Sequence, residues 1–275
     1  MSENRIAMIA SDMDGTLLRG DGSISAYTVD VIHEAQRRGI LFTVCSGRYP
    51  EYADVILKAY GIRCPISGNN GATQWDARTD TVLSDHFMTP ASVIMARDAA
   101  ESLGIPFIVF GRKHVTASED APLHFSQTQH GRALAEDYHI VFDSGLKAVD
   151  QALARPVNKF YFHYDHPQEK ARLVQALKLI PDISITTSGT ANVEIIPAGC
   201  NKAAGVLKMA RLFHAHMAQV MTVGDYENDV PMLQAAGLGV AMGNAQDEIK
   251  HYARHVTASN EEDGLAKAIE KYALS

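Results

Sequence analysis

The chain has 275 residues, 46% of them hydrophobic and 21% charged, a length for one large or two ordinary domains and a composition that excludes disorder, a collagen-like repeat and a coiled coil. Its 25 basic and 32 acidic residues give a net charge of −7, a sign that repels a phosphate backbone and sets nucleic acid aside as a partner. No apolar run reaches the ~18 residues of a membrane span, charged residues interrupt the opening MSENRIAMIASDMDGT before a signal-peptide core forms, and Cys45, Cys64 and Cys200 have neither metal-knuckle nor disulfide-framework spacing, so a cytoplasmic protein with no membrane partner is expected.

Residues 6–11 (IAMIAS) form an almost unbroken apolar run that stops at Asp-Met-Asp-Gly, the pattern of a strand buried on both faces that ends at a site. A helix carrying Val29, Ile32, Ala35 and Gln36 follows, Gly39 stands where a helix C-terminal glycine is expected, and LFTVC (41–45) is the next strand. A second helix is predicted over 53–59. Residues 64–67 lead into the turn-rich Gly68-Asn69-Asn70-Gly71, and short extended pieces at 72–75 and 81–83 then break the alternation.

Residues 85–190 have a different texture. Helical periodicity at Val93, Ala96, Ala100 and Leu103 precedes extended pieces at 107–110 and 115–117, and a second helix with Ala171, Val174 and Leu177 lies between extended runs at 160–164 and 183–187. This reads as an inserted α+β module with its own sheet. Beyond it the alternation returns: a helix over 202–214, a strand at 220–223, a helix at 231–236, a strand at 238–242, and a closing strand and helix. The fold class is therefore α/β, a Rossmann-like parallel sheet built from 1–84 and 191–275, interrupted by a domain at 85–190, with ligands at the carboxyl ends of the strands.

Those strand ends carry the chemistry. Asp12 and Asp14 leave one buried strand two residues apart, so their carboxylates start near one spot and repel; a divalent cation relieves that repulsion, and oxygen-only ligation selects magnesium over zinc. Asp-x-Asp-Gly also occurs in ordinary turns and in calcium loops, but no glutamate closes a calcium loop here, since Thr16, Leu17 and Leu18 follow Gly15. Ser46-Gly47-Arg48 ends the second strand with a hydroxyl and an unshielded amide suited to a phosphate oxygen, a weak signal alone. Asn201-Lys202 opens a helix whose amides and ammonium neutralise an anion. Gly224-Asp225-Tyr226-Glu227-Asn228-Asp229 brings a second acid group to a strand end.

Taken together, DMDGT (12–16), SGR (46–48), Lys202 and GDYENDVPM (224–232) resemble the four motifs of the haloacid dehalogenase superfamily, specifically its Cof-type sugar-phosphatase branch, and SGNNGA (67–72) is similar to that branch's segment leading into an inserted cap. The resemblance covers essentially the whole chain. It implies a phosphomonoesterase for small phosphate esters in which Asp12 is the nucleophile that forms an aspartyl-phosphate and Asp14 is acid and then base. It implies Mg2+ held by Asp12, the backbone carbonyl of Asp14, and Asp225, with Ser46, Lys202, the amides of Met13 and Gly47, and the Asn228 side chain on the phosphoryl oxygens. Asp229 is expected to orient a metal water or Lys202. Arg48, Asn69 and Asn70 either contact substrate or satisfy loop backbone groups.

The same motifs admit a phosphomutase or phosphotransferase that passes the aspartyl-phosphate to another hydroxyl, and a non-catalytic phosphate-binding regulator. A receiver-like regulator is opposed by the length and by the placing of nucleophile and acid on one segment. A monomer or small homo-oligomer is expected. The pairs His251/His255, His214/His216 and His163/His166 read as surface histidines, Cys45 as a small buried hydrophobe, and Trp75, Tyr161 and Phe162 as core packing.

Overall fold

The computed structural model describes residues 5–119, 128–189 and 191–275. Chain contacts separate it into two compact units, Met1–Ser84 with Asn201–Ser275, and Asp85–Cys200.

The first unit begins with β1 (Met8–Ser11), the fully buried MIAS expected from its apolar run. Helix α1 (Ala26–Arg37) starts where the Ser25 side chain accepts from the Thr28 amide, and it buries Thr28, Val31, Ile32 and Ala35. Strand β2 (Leu41–Cys45) and helix α2 (Pro50–Lys58) follow, the latter with proline in its first turn where a missing amide costs nothing. Then come β3 (Pro65–Gly68), β4 (Thr73–Asp76) and β5 (Thr81–Asp85).

The second unit contains α3 (Pro90–Leu103), β6 (Phe107–Gly111), β7 (His114–Ala117), α4 (Gln129–Tyr138), β8 (Val141–Ser144), α5 (Leu146–Leu153), β9 (Val157–His163), α6 (Pro167–Leu177), β10 (Ile183–Thr186) and β11 (Asn192–Pro197). Its sheet runs β10-β11-β9-β6-β7-β8. The described pairings are antiparallel except the parallel β7 and β8. Phe107, Phe160, Phe162, Val193 and Ile195 form its core with residues of α3 and α6, and the Phe160 and Phe162 rings stack with centroids 5.7 Å apart.

A boundary at 190/191 is corrected here. Residues 192–197 do not return to the first sheet but pair antiparallel with both β9 and β10, so the second unit runs to Cys200. The chain re-enters the first unit through α7 (Lys202–Leu212), β12 (Val220–Gly224), α8 (Val230–Ala235), β13 (Leu238–Ala241), α9 (Asp247–Lys250), β14 (His255–Val256) and α10 (Gly264–Ile269). The pair His251/His255 does not share a helix, because α9 ends at Lys250 and His255 lies in β14.

The eight-stranded sheet of the first unit has the order β14-β13-β12-β1-β2-β3-β4-β5. Strands β14 through β3 pair in parallel and β4 turns back antiparallel on β3. Strand β1 sits between β12 and β2, with Ser11 level with Val223 on one side and Val44 on the other. Three loops are thereby delivered to one edge: the one after β1, the one after β2 and the one after β12. Met8, Ala10, Cys45, Val206, Met209 and Val220 pack beneath them. All three cysteines are free and buried.

Candidate active site

At that edge Asp12 is 5% exposed, its amide bound to the Val223 carbonyl at 2.9 Å. Its carboxylate lies 2.7 Å from Lys202 Nζ. Lys202, 1% exposed, also lies 2.5 Å from Asp229 Oδ1, so one ammonium is shared by two buried carboxylates. The position follows from α7, whose first residue is Lys202 and whose start is capped by the Asn201 side chain accepting from the Ala204 amide. Burial works against charge on Lys202, but Asp12 and Asp229 outweigh it and hold the ammonium above its ordinary range.

Asp225 receives a hydrogen bond from the Thr16 hydroxyl at 2.7 Å, and the other oxygen of Asp229 accepts from the Asp225 and Tyr226 amides, each at 3.0 Å. Gly15, at φ +73°, is required here: a side chain at that position would collide with the Asp225 carboxylate. Asp12, Asp225 and Asp229 each present an oxygen within 4.8 Å of the others. Burial, followed by the Asp229 charge, raises the Asp12 carboxyl well above its usual range despite Lys202. Burial likewise pushes Asp225 up to about 6, with Asp229 adding to the effect and Thr16 partly offsetting it. Three carboxylates grouped around one ammonium leave an excess of negative charge on hard oxygen donors, which a divalent cation would offset, so the residues present fit one.

The Asp14 side chain stands apart from that cluster. It is 54% exposed and paired with Arg48, whose Nε and Nη2 reach its two oxygens at 2.7 and 2.5 Å. Arg48 also stacks its guanidinium 4.6 Å from the centroid of Tyr52. Burial opposes its charge, but Asp14 holds the guanidinium above its ordinary range. Ser46 Oγ accepts from the Arg48 amide at 3.1 Å, which shapes the turn containing Gly47 and points the SGR loop at the same edge. Met13 is buried, and its carbonyl accepts from the Thr16 and Leu18 amides to close the turn after β1.

Asn69 and Asn70 are buried and left-handed, at φ 50° and 51°. Asn70 Oδ1 accepts from Asn228 Nδ2 at 3.0 Å. The structure thus brings Asp12, Lys202, Asp225 and Asp229 together, places Asp14 with Arg48 beside them, and ties Asn228 to Asn70. Thr16, a residue able to donate or cap, donates to Asp225, and two contributors escaped the sequence reading: Tyr52 under Arg48, and Asn244, whose side chain donates to the Gly15 carbonyl at 2.9 Å. Tyr52 lies in α2 but Arg48 precedes that helix, so no helical spacing links the two in the sequence, and Asn244 gives no signal either. Cys45 donates to the Lys202 carbonyl at 3.5 Å, and burial pushes its thiol up to about 12. Trp75 is buried with its indole N–H on Asp80, and Phe162 lies in the core of the second unit.

Residues 9–269 match the model of the haloacid dehalogenase-like hydrolases. The chain is 28% identical over 269 residues to YcsE of Bacillus subtilis, a 5-amino-6-(5-phospho-D-ribitylamino)uracil phosphatase, covering 98% of this chain and 96% of that protein. It is 27% identical to the Bacillus subtilis phosphatase YitU of the same designation, covering 98% of each. Among solved structures it resembles the haloalkanoate-superfamily phosphatase BT1666 of Bacteroides thetaiotaomicron, at TM-score 0.82, 22% identity, and coverage of 100% of this chain and 97% of that one.

Proposed function

We propose that this chain, which belongs to the haloacid dehalogenase-like hydrolase family, is a magnesium-dependent phosphatase that releases phosphate from small phosphorylated metabolites of the sugar-phosphate kind. That it is a phosphoric monoester hydrolase follows from the family and its relatives. The observation that carries the finer reading is the contrast between two carboxylates on one turn: Asp12 buried against Lys202, and Asp14 half-exposed on Arg48.

In this reading an Asp12 oxygen attacks phosphorus in line as the bond to the leaving oxygen breaks, and Asp14 gives its proton to the departing alcohol. Water then attacks the aspartyl-phosphate, Asp14 takes a proton from it, and the bond between phosphorus and the Asp12 oxygen breaks to yield inorganic phosphate. Lys202 is placed to steady charge on the transferring oxygens, and its ammonium favours the ionised form of Asp12 against the burial that opposes it. Ser46, the amides of Met13 and Gly47, and Asn228 would supply further donors. Asp12 and Asp225, with the Asp14 carbonyl, would hold Mg2+, which when bound offsets the repulsion between carboxylate and phosphoryl group. Asp229, committed to Lys202 and two amides, orients the lysine.

The phosphorylated ribityl chain in the names of YcsE and YitU favours polyol and sugar phosphates as substrates, free in a reducing cytoplasm that suits three unpaired thiols. Among the described residues no helix is long and apolar enough to cross a membrane. The test is phosphate release from a panel of sugar, polyol and nucleoside monophosphates, with Mg2+ and with chelator. Release that needs the cation and falls by ~10³-fold or more in Asp12→Asn supports the reading; unchanged release by that variant overturns it.

A further inference from the structure

We propose that Asn70 is a positioning residue, whose side-chain oxygen fixes the direction in which the Asn228 amide points. The claim rests on the phosphatase reading only in giving Asn228 a phosphoryl oxygen to hold.

An asparagine side chain offers two donors at one end and an acceptor at the other, and nothing in its own geometry decides which end faces a ligand. A phosphoryl group presents only acceptors, so it is gripped by the donor end. Asn70 Oδ1, accepting from Asn228 Nδ2 at 3.0 Å across 158 residues of sequence, settles that choice. One N–H is spent on Asn70, and its partner on the same nitrogen is left with a fixed heading.

Asn70 is itself held rigidly. Its side chain belongs to a residue only 1% exposed, its amide donates to the Ser46 carbonyl at 3.0 Å, and the Asn69 amide donates to the Arg48 carbonyl at 2.9 Å. Both residues make these bonds from the left-handed region, which asparagine tolerates better than most other residues with a side chain. Gly71, at φ +90°, then lies so close to the Asn201 carbonyl at the start of α7 that no side chain fits. The turn therefore touches the loop after β2, the loop after β12 and the helix that carries Lys202, and Asn70 is its contact with the second of these.

The experiment compares native protein, Asn70→Gly, Asn228→Ala and the double variant. Glycine keeps the left-handed turn while removing the oxygen. Asn70→Gly is expected to lower kcat/KM about tenfold, and to add no further loss in the Asn228→Ala background. Losses that multiply, or a fully active Asn70→Gly, overturn the proposal. Hydrogen exchange of the Asn228 side-chain amide, identified by the NMR signal that Asn228→Ala deletes, gives a readout independent of turnover. Protection in the native protein that disappears in Asn70→Gly supports the proposal; exchange at the rate of a free amide in the native protein overturns it. An Asn70→Gly that does not fold leaves the native signal to decide. Absence of turnover in the native protein overturns the phosphatase reading alone, and the amide exchange still decides the role of Asn70.

Discussion

Lys202 has one positive charge facing Asp12 and Asp229, both nearly or wholly removed from water. Removing one member of a buried ionic group leaves its partners charged in a poor solvent, at a cost of ~3–5 kcal/mol. Lys202→Met is therefore expected to shift the urea midpoint markedly downward as well as to abolish turnover, and an unchanged midpoint would contradict the burial of the pair. A buried histidine contributes an acid sensitivity of its own. His114 in the second unit is 2% exposed, and burial holds its imidazole below the ordinary value of 6.5. The unfolded chain then binds more protons than the folded one near that pH, so stability is full above it and declines as pH falls through it toward the folded value. Across that range the urea midpoint of the native protein should lose more with acidity than that of His114→Gln, and equal pH dependence in the two would contradict this contribution. The meeting of Asp12, Lys202 and Asp225 at one sheet edge was legible from sequence because acids and a lysine at strand and helix ends conflict with burial unless they pair with one another or hold a cation. Tyr52 and Asn244 were not, since a tyrosine in a helix and an asparagine in a loop have many ordinary reasons to be there.

At the scale of elements, local patterning decided what could be read. Strands β1, β2 and β12 are short apolar runs ending in polar residues and stood out at once. Helix α4 buries only Gly131 and Leu134, too sparse a stripe to show a period, and the exposed β8 gives no alternation; both went unread. Strand β11 is buried along its whole length, so NVEIIP suits either sheet equally well, and only its pairing with β9 and β10 assigns it. The SGNNGA turn shows the reverse case, where composition announced a turn but not its purpose. Gly71→Ala tests how tightly that turn is seated. Its positive φ and the adjacent Asn201 carbonyl should make the substitution cost ~1–3 kcal/mol in urea unfolding and depress turnover, because the start of α7 must shift. Gly22→Ala, with open space around it and a similar φ, is the control and should leave turnover intact.

At the scale of the whole molecule, each unit has its own sheet, and the second has an aromatic core of its own. A segment with these features has what it needs to fold alone. Residues 85–200 expressed by themselves are expected to unfold cooperatively by circular dichroism, and Phe160→Ala to destabilise the fragment by ~3–5 kcal/mol; a fragment without a cooperative transition would show that its core depends on the remainder of the chain. The buried cysteines extend this to kinetics. Cys45 and Cys64 lie in one unit and Cys200 in the other, and burial raises all three thiols above their ordinary value, so little thiolate forms while the fold is closed. Alkylation at each position consequently waits on local opening, and its rate becomes a clock for that neighbourhood. A mass-resolved labelling time course would then record which half of the chain opens first, without a probe having to be introduced.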